Sequence, residues 1–446
     1  MASRRVWCEY AALPDGVLAG VLISIDEGLI ADIHVGPDSV PADAEQLCGL
    51  TLPGFANAHS HAFHRALRGR THRGRGDFWT WREQMYRVAG KLTPENYLAL
   101  ARATFAEMLL AGFTCVGEFH YVHHAPGGEP YAEPNAMGHA IVQAARETGI
   151  RLTLLDACYL RGGAGRPLLR EQLRFTDGSA ARWAARVDAL VDAPLVRIGA
   201  AVHSVRAVDA PSIATVAKYA AARSMPLHAH VSEQPAENEQ VAMEFGCSPT
   251  EILARQGALS SRFTAVHATH LIPTDIELYA RAGCTCCFCP TTERDLADGV
   301  GPSAELRAGG VRLAIGSDQH AVIDPFEEMR GIELDERLRS MRRGTHPARG
   351  LIDAGTANGY RSLGWHNGGR LAVGSLADLT TVSLDSVRLA GAPLDGLLEA
   401  VVFAASTGDV STVIVAGTTV VDQRAHVDID TVGELRTSIS ALLEGK

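Results

Sequence analysis

The run Leu52-Pro53-Gly54-Phe55-Ala56-Asn57-Ala58-His59-Ser60-His61 reads as a buried strand ending in two histidines one residue apart. Side chains at i and i+2 of a strand share a face. His59 and His61 can therefore aim two imidazoles at one divalent ion and leave other coordination positions open. Alone, the pair is ambiguous, because polar residues also end strands for no chemical reason. Its weight comes from the rest of the chain, where later apolar runs end in Glu118-Phe119-His120-Tyr121, His203-Ser204-Val205-Arg206, His228-Ala229-His230-Val231-Ser232-Glu233, Val266-His267-Ala268-Thr269-His270 and Gly316-Ser317-Asp318-Gln319-His320. A lone strand histidine is usually a satisfied core residue. Six polar strand ends in one protein are costly to bury without a metal or charged ligand to organise them.

The elements that must position these residues follow from periodicity. Short apolar, β-rich runs are expected as strands near 50–61, 113–122, 150–160, 196–205, 225–233, 263–271, 284–290 and 311–320. Helical patterns separate them, including Thr93 to Ala111, with Thr93-Pro94-Glu95 as its cap, and Pro211 to Arg223. Eight strands alternating with helices predict a (β/α)₈ TIM-like barrel over residues 50–365, with the chemistry at the carboxyl ends of the strands. A doubly wound nucleotide fold lacks its Gly-x-Gly-x-x-Gly turn after the first strand. Residues 1–49 and 366–446 carry short Val, Ile, Leu and Thr runs punctuated by Gly and Asp, and neither is long enough to bury a core by itself. They are expected to pack together as one small, discontinuous β-sandwich domain.

The 446 residues, 46% of them hydrophobic, can bury a large core. A formal charge of −10 argues against a nucleic-acid partner. No apolar run approaches a membrane span, and no apolar leader follows Arg4 and Arg5, so a cytoplasmic protein without a membrane partner is expected. Nine cysteines in no regular framework read as reduced thiols. In Cys284-Thr285-Cys286-Cys287-Phe288-Cys289, the first two cysteines of the strand face opposite to the last two, so four thiolates cannot meet one ion; small buried hydrophobes are the better reading. The lysines are only Lys91, Lys218 and Lys446, and arginine supplies the remaining cations.

His-x-His on strand one, His230 on strand five, His267 on strand six and Asp318 on strand eight together resemble the amidohydrolase superfamily. The resemblance covers the whole chain. It implies that His59, His61, His230 and Asp318 hold the metal, that His267 and Glu233, with Asp318, manage protons around the attacking water, and that His228 sits one step deeper as a supporting residue. Residues 195–205 contain no lysine that could bridge two metals, so one divalent ion is expected: zinc, with iron as the alternative. Longer strings, His59-Ser60-His61-Ala62-Phe63, Phe78-Trp79-Thr80-Trp81-Arg82-Glu83, Glu118-Phe119-His120-Tyr121-Val122-His123-His124, His203-Ser204-Val205-Arg206 and Cys289-Pro290-Thr291-Thr292-Glu293, resemble the formiminoglutamate deiminase branch. That branch hydrolyses a small dicarboxylate amidine to the formyl compound and ammonia in histidine breakdown, and it implies a homodimer. A dianionic substrate needs rigid cationic forks. Arg82 and Arg206 are the candidates, with Tyr121, His203 and His64 as further binding residues and the Thr291 to Leu296 segment at the rim. Arg82 could instead stack on Trp79 or Trp81. One departure stands out: the branch carries glutamine where this chain has His64, a shorter side chain whose ordinary pKa lies near neutrality. Another formimino amino acid, or an aminated heterocycle, is the competing substrate. A non-catalytic binding protein of the same fold is disfavoured because the ligand positions are all filled.

Overall fold

The computed structural model describes residues 4–36, 40–72, 78–163 and 165–444, with nothing said of the side chains of Phe78 and Trp79. The suggested stacking of Arg82 on Trp79 therefore lies outside the described residues. Arg82 sits over the Tyr86 ring one turn along its helix, 5.2 Å from the centroid.

Eight parallel strands form the barrel: Phe55–Ser60, Phe113–His120, Arg151–Cys158, Val196–Val202, Leu227–Val231, Phe263–His267, Thr285–Phe288 and Arg312–Ile315, each paired with the next in chain order. Nearly every residue in them is buried, as expected where helices cover the outer face and side chains fill the interior. The intervening helices carry the signals that the sequence suggested. In Pro94–Leu110, Thr93 and Asn96 form a reciprocal cap with Pro94 at the first position, and Asp209 caps Ala210–Ala222. The cysteine strand is also as read: Cys284 and Cys286 join the main core, while Cys287 and Cys289 pack on the other face with Ala58, Val266 and Ala314.

The single strand expected near 50–61 is two strands in different sheets. Glu45–Pro53 belongs to the flanking sheet and Phe55–Ser60 opens the barrel. The break falls at Gly54, where a Cβ would lie 2.1 Å from the Thr114 hydroxyl and where the amide donates to the Asp378 carbonyl at 2.8 Å. An unbroken apolar pattern hides this break, because both strands are buried. Strands six and eight also stop earlier than expected, at His267 and Ile315.

The flanking strands, Arg4–Leu13, Gly16–Asp26, Leu29–Val35, Glu45–Pro53, Leu379–Val382, Val410–Val415, Thr418–Asp422 and Ala425–His426, form a separate eight-stranded sheet. The two terminal segments meet where Glu45–Pro53 pairs antiparallel with Leu379–Val382. Val6, Cys8, Val21, Ile23, Leu379 and Ile414 contribute to this sheet's own core. Asp378 ties it to the barrel. Its carboxylate accepts two guanidinium hydrogen bonds from Arg151 at 2.9 Å each, one from the Tyr360 hydroxyl at 2.7 Å and one from the Ala416 amide at 2.7 Å.

The segment 354–365 closes the barrel's amino-terminal end. The Leu363 carbonyl accepts from Thr153 Oγ1 at 2.8 Å, and the Ser362 carbonyl accepts from His228 Nε2 at 2.9 Å. This corrects the expectation for His228. Its side chain anchors the plug beneath the barrel instead of supporting the site above, and burial pushes its pKa down to about 3, so it is a neutral donor. Arg151→Met should destabilise the protein by roughly 3–5 kcal/mol in urea unfolding, because it leaves the Asp378 carboxylate buried without its cation; the double variant Arg151→Met/Asp378→Leu should recover part of that loss.

Candidate metal and substrate site

The carboxyl ends of strands one, five, six and eight converge. His59 Nε2 lies 3.3 Å from Asp318 Oδ1, His61 Nε2 lies 3.4 Å from the same oxygen, and His230 Nε2 lies 3.2 Å from His59 Nε2. All four side chains are buried. The outer nitrogens fix two of the rings: His61 Nδ1 donates to the Phe119 carbonyl at 2.9 Å and His230 Nδ1 to the His203 carbonyl at 2.8 Å. Their Nε2 lone pairs therefore point, with the Asp318 carboxylate, at one shared point. Such an arrangement of acceptors is unfavourable unless a cation lies between them. A tetrahedral ion with ligand bonds of about 2.1 Å would set its ligands about 3.4 Å apart, which matches these separations. Metal-binding histidines commonly donate their second N–H to a carbonyl in this way. The residues fit one divalent ion.

Local backbone explains the aim. Ser232, His267, Ala268, Asp318 and His320 all adopt left-handed φ values, between 43° and 66°, which end the strands and turn their last side chains inward. Gly316 allows the close approach of strand eight to strand one, since a Cβ there would meet His59 Cβ at 2.8 Å and Cys289 Sγ at 2.9 Å. Asn57 joins the same strands, accepting from the Ser317 amide at 3.0 Å and donating to the Ser317 hydroxyl at 2.6 Å.

His267 stands beside the cluster, its Nε2 3.8 Å from Glu233 and 3.9 Å from Asp318. Burial alone would lower its pKa. The charges of Glu233 and Asp318 and a contact with Glu293 win, so the ring is held well above its ordinary value. Glu293 is a residue that the sequence reading left without a role: its carboxylate accepts from His267 Nδ1 at 3.4 Å and from the Cys289 amide at 2.8 Å. The string Cys289-Pro290-Thr291-Thr292-Glu293 was its only signal, and spacing alone could not place it behind strand six.

Above the cluster lies an open recess of about 940 Å³. His64, Arg82, Tyr121, His203, Arg206 and Glu233 all line it, so every substrate candidate reaches one cleft. Arg206 lies 3.7 Å from Glu233 and 3.6 Å from Glu237 and faces the recess. Arg82 donates to the Tyr86 hydroxyl at 2.6 Å. His64 Nε2 and the Tyr121 hydroxyl are 3.1 Å apart. The expectation that His64 titrates near neutrality is corrected: burial drives its pKa down to about 3. His203 is held well below its usual value by burial and then by Arg206 and Arg82.

Strand two differs from its reading. The sequence places Glu118 and His120 among the polar ends at the mouth, but Phe119 and Tyr121 face the cluster, packing on His61 at centroid distances of 5.5 and 5.2 Å. Glu118 turns outward as a brace, accepting from the Ser60 hydroxyl at 2.5 Å and the Ala62 amide at 2.7 Å, and burial lifts its pKa to about 8. Arg161 and Arg166, in the loop after strand three, also line the recess, and nothing in their spacing marked them. Of the rim segment 291–296, Leu296 reaches the recess.

The family comparison agrees with this geometry. The model of the amidohydrolase family matches residues 50–420. The chain belongs to the amidohydrolase family. It is accordingly a hydrolase acting on carbon–nitrogen bonds. It is 39% identical to a formimidoylglutamate deiminase of Pseudomonas aeruginosa over 94% of this chain and 95% of that protein. An amidohydrolase from Brucella melitensis superposes with a TM-score of 0.91 at 32% identity, covering 99% of this chain and 100% of that one. An adenosine deaminase from Xanthomonas campestris, solved with bound zinc, has a TM-score of 0.84 at 25% identity, covering 97% of this chain and 96% of that one. These relatives support a deiminase within the family. Among the described residues no helix is long and apolar enough to cross a membrane.

Gly316→Ala should weaken metal retention by roughly 10–100-fold, the range seen when the support of a metal ligand is disturbed. Metal content after dialysis against a graded chelator series measures this, and undiminished retention would show that the approach of strands one and eight does not set the site.

Proposed function

We propose that the protein hydrolyses N-formimino-L-glutamate to N-formyl-L-glutamate and ammonia, using one divalent ion, zinc, held by His59, His61, His230 and Asp318. The observation that carries this reading is the pairing of guanidinium groups with the ligand cluster in one cleft: Arg82 and Arg206 line the same recess as His61, His230 and Asp318. A neutral heterocycle has no use for such cations, whereas a dicarboxylate does. The 39% identity to the Pseudomonas enzyme supports the same substrate.

A divalent ion in this position would acidify a water molecule and polarise the carbon–nitrogen bond that is cleaved. The protein's own groups do the rest. Arg206 and Arg82 hold the two carboxylates, and the Tyr121–His64 pair and His203 add hydrogen bonds along the substrate. His267, kept in place by Glu293, orients the attacking water and takes part in its deprotonation. Glu233, within 3.8 Å of His267, carries a proton toward the departing nitrogen. Water's oxygen ends on the formyl carbon, the bond to the terminal nitrogen breaks, and that nitrogen leaves as ammonia. The aromatic walls at Trp81, Tyr86 and Tyr159 narrow the cleft around a small substrate.

Ammonia release from formiminoglutamate, formiminoaspartate, adenosine, guanine and cytosine, with metal analysis of the same sample, tests the assignment. Formiminoglutamate should be turned over with the highest kcat/KM and one zinc per chain; preference for a ring amine would overturn it. Glu233→Gln and His267→Asn should each lower kcat by roughly 10²–10⁴-fold with metal content unchanged. Near-normal turnover in either variant would remove that residue from the chemistry.

A further inference from the structure

At the end of the barrel opposite the cleft, a second recess of about 600 Å³ opens between the starts of strands four, five and six and the plug. Arg197, Arg223, Arg262, Arg361 and His366 line it, with Asp192 as its one acidic group. Arg223 is engaged by Asp188 at 2.7 Å, and Asp192 Oδ1 accepts from the Ile198 amide at 2.8 Å. Arg197, Arg262 and Arg361 have no carboxylate within ion-pair distance among the described residues, although the chain carries a net charge of −10.

Arg197 is the most constrained of the three. Its guanidinium lies 4.4 Å from the Trp365 ring centroid, and its Nε is buried without a hydrogen-bond partner. Arg151 lies 4.6 Å from the same ring, but its charge is met by Asp378. The positive field of the recess is felt by His366, whose pKa is lowered by partial burial and then by Arg361, Arg197 and Arg262. Like charges gathered at one point of an otherwise acidic protein repel one another, and a bound anion removes that cost.

We propose that Arg197, Arg262 and Arg361 form an anion-binding site for a small molecule carrying two or more phosphate or carboxylate groups. Planar guanidinium forks suit both chemistries. The seven residues of Val196–Val202 separate this site from the cleft by roughly 20 Å at strand rise, so an anion here touches no residue of the catalytic machinery. It would instead brace the plug, which hangs from His228 and Thr153.

Calorimetric titration and thermal unfolding of the metal-loaded full chain, at fixed ionic strength, test this with inorganic pyrophosphate and citrate as probes, the pair distinguishing a phosphate from a carboxylate ligand. At least one should bind saturably and raise the melting temperature. Arg262→Ala/Arg361→Ala should weaken that binding at least about tenfold, the loss of charge-assisted hydrogen bonds, while turnover stays at the wild-type level and reports a folded enzyme. Arg206→Ala, in the cleft, should leave the affinity unchanged. The proposal is overturned if neither probe saturates, if the double variant binds as well as the wild type, or if only Arg206→Ala abolishes binding.

Discussion

The first and eighth barrel strands meet through one isolated backbone bridge, Ser60 to Asp318. The Asp318 amide donates to the His59 carbonyl at 3.0 Å and the His61 amide donates to the Asp318 carbonyl at 3.2 Å. The residues that close the barrel are thus the residues whose side chains form the His–Asp cluster. This seam fixes Asp318 against both strand-one histidines before any ligand binds, and the neighbouring contacts of Asn57 and Gly316 leave no slack in it. A shift of one residue in register would point the strand-one histidines to the opposite face. The geometry of the cluster is therefore a consequence of barrel closure, which the whole hydrophobic interior enforces.

Electrostatics then divides the cleft into two parts. On its floor, burial drives His61 and His230 well below their ordinary pKa, while Asp318 is held well below its own despite burial, through His59 and then His267. Neutral imidazoles beside an ionised carboxylate are the protonation states that a divalent ion requires. Along the walls the sign reverses, with Arg82, Arg161 and Arg206 exposed to the recess. Glu233 lies between the two parts, 3.8 Å from His267 and 3.7 Å from Arg206, so the opposed charges of floor and wall are separated by a carboxylate. The Glu233 carboxylate thus sits between the arginine on the wall and the histidine cluster on the floor.

Much of this was legible in the chain. Polar residues at the ends of apolar runs located the mouth of the barrel, and the alternation of strand and helix patterns located the barrel itself. What escaped depended on contacts between distant segments. Glu118 and Phe119 are adjacent, and which one faces the site is decided by the interior filling of the barrel. His228 shares a face with His230, yet it answers to the plug at residues 354–365 because it lies nearer the amino end of its strand. Glu293 gained its place only through the turn after strand seven. The division at Gly54 was invisible because Glu45–Pro53 and Phe55–Ser60 are both buried, in different sheets, so no change in hydrophobicity marks the boundary.

His64 remains the residue where chemistry and resemblance pull apart. An imidazole in place of a glutamine looks like the introduction of a pH switch into the substrate cleft. Its surroundings remove that possibility: the ring packs on His61 and Trp81 at centroid distances of 4.6 and 5.1 Å, and a second charge this close to the cationic site would be strongly disfavoured. The ring is neutral through the physiological range, with one nitrogen able to donate and the other to accept. In that state it offers the same pair of functions as a side-chain amide, and its bond to Tyr121 sets the direction in which it acts. The substitution changes the reach of the group by shortening it, so any difference it makes in the recess comes through length and placement, not through charge.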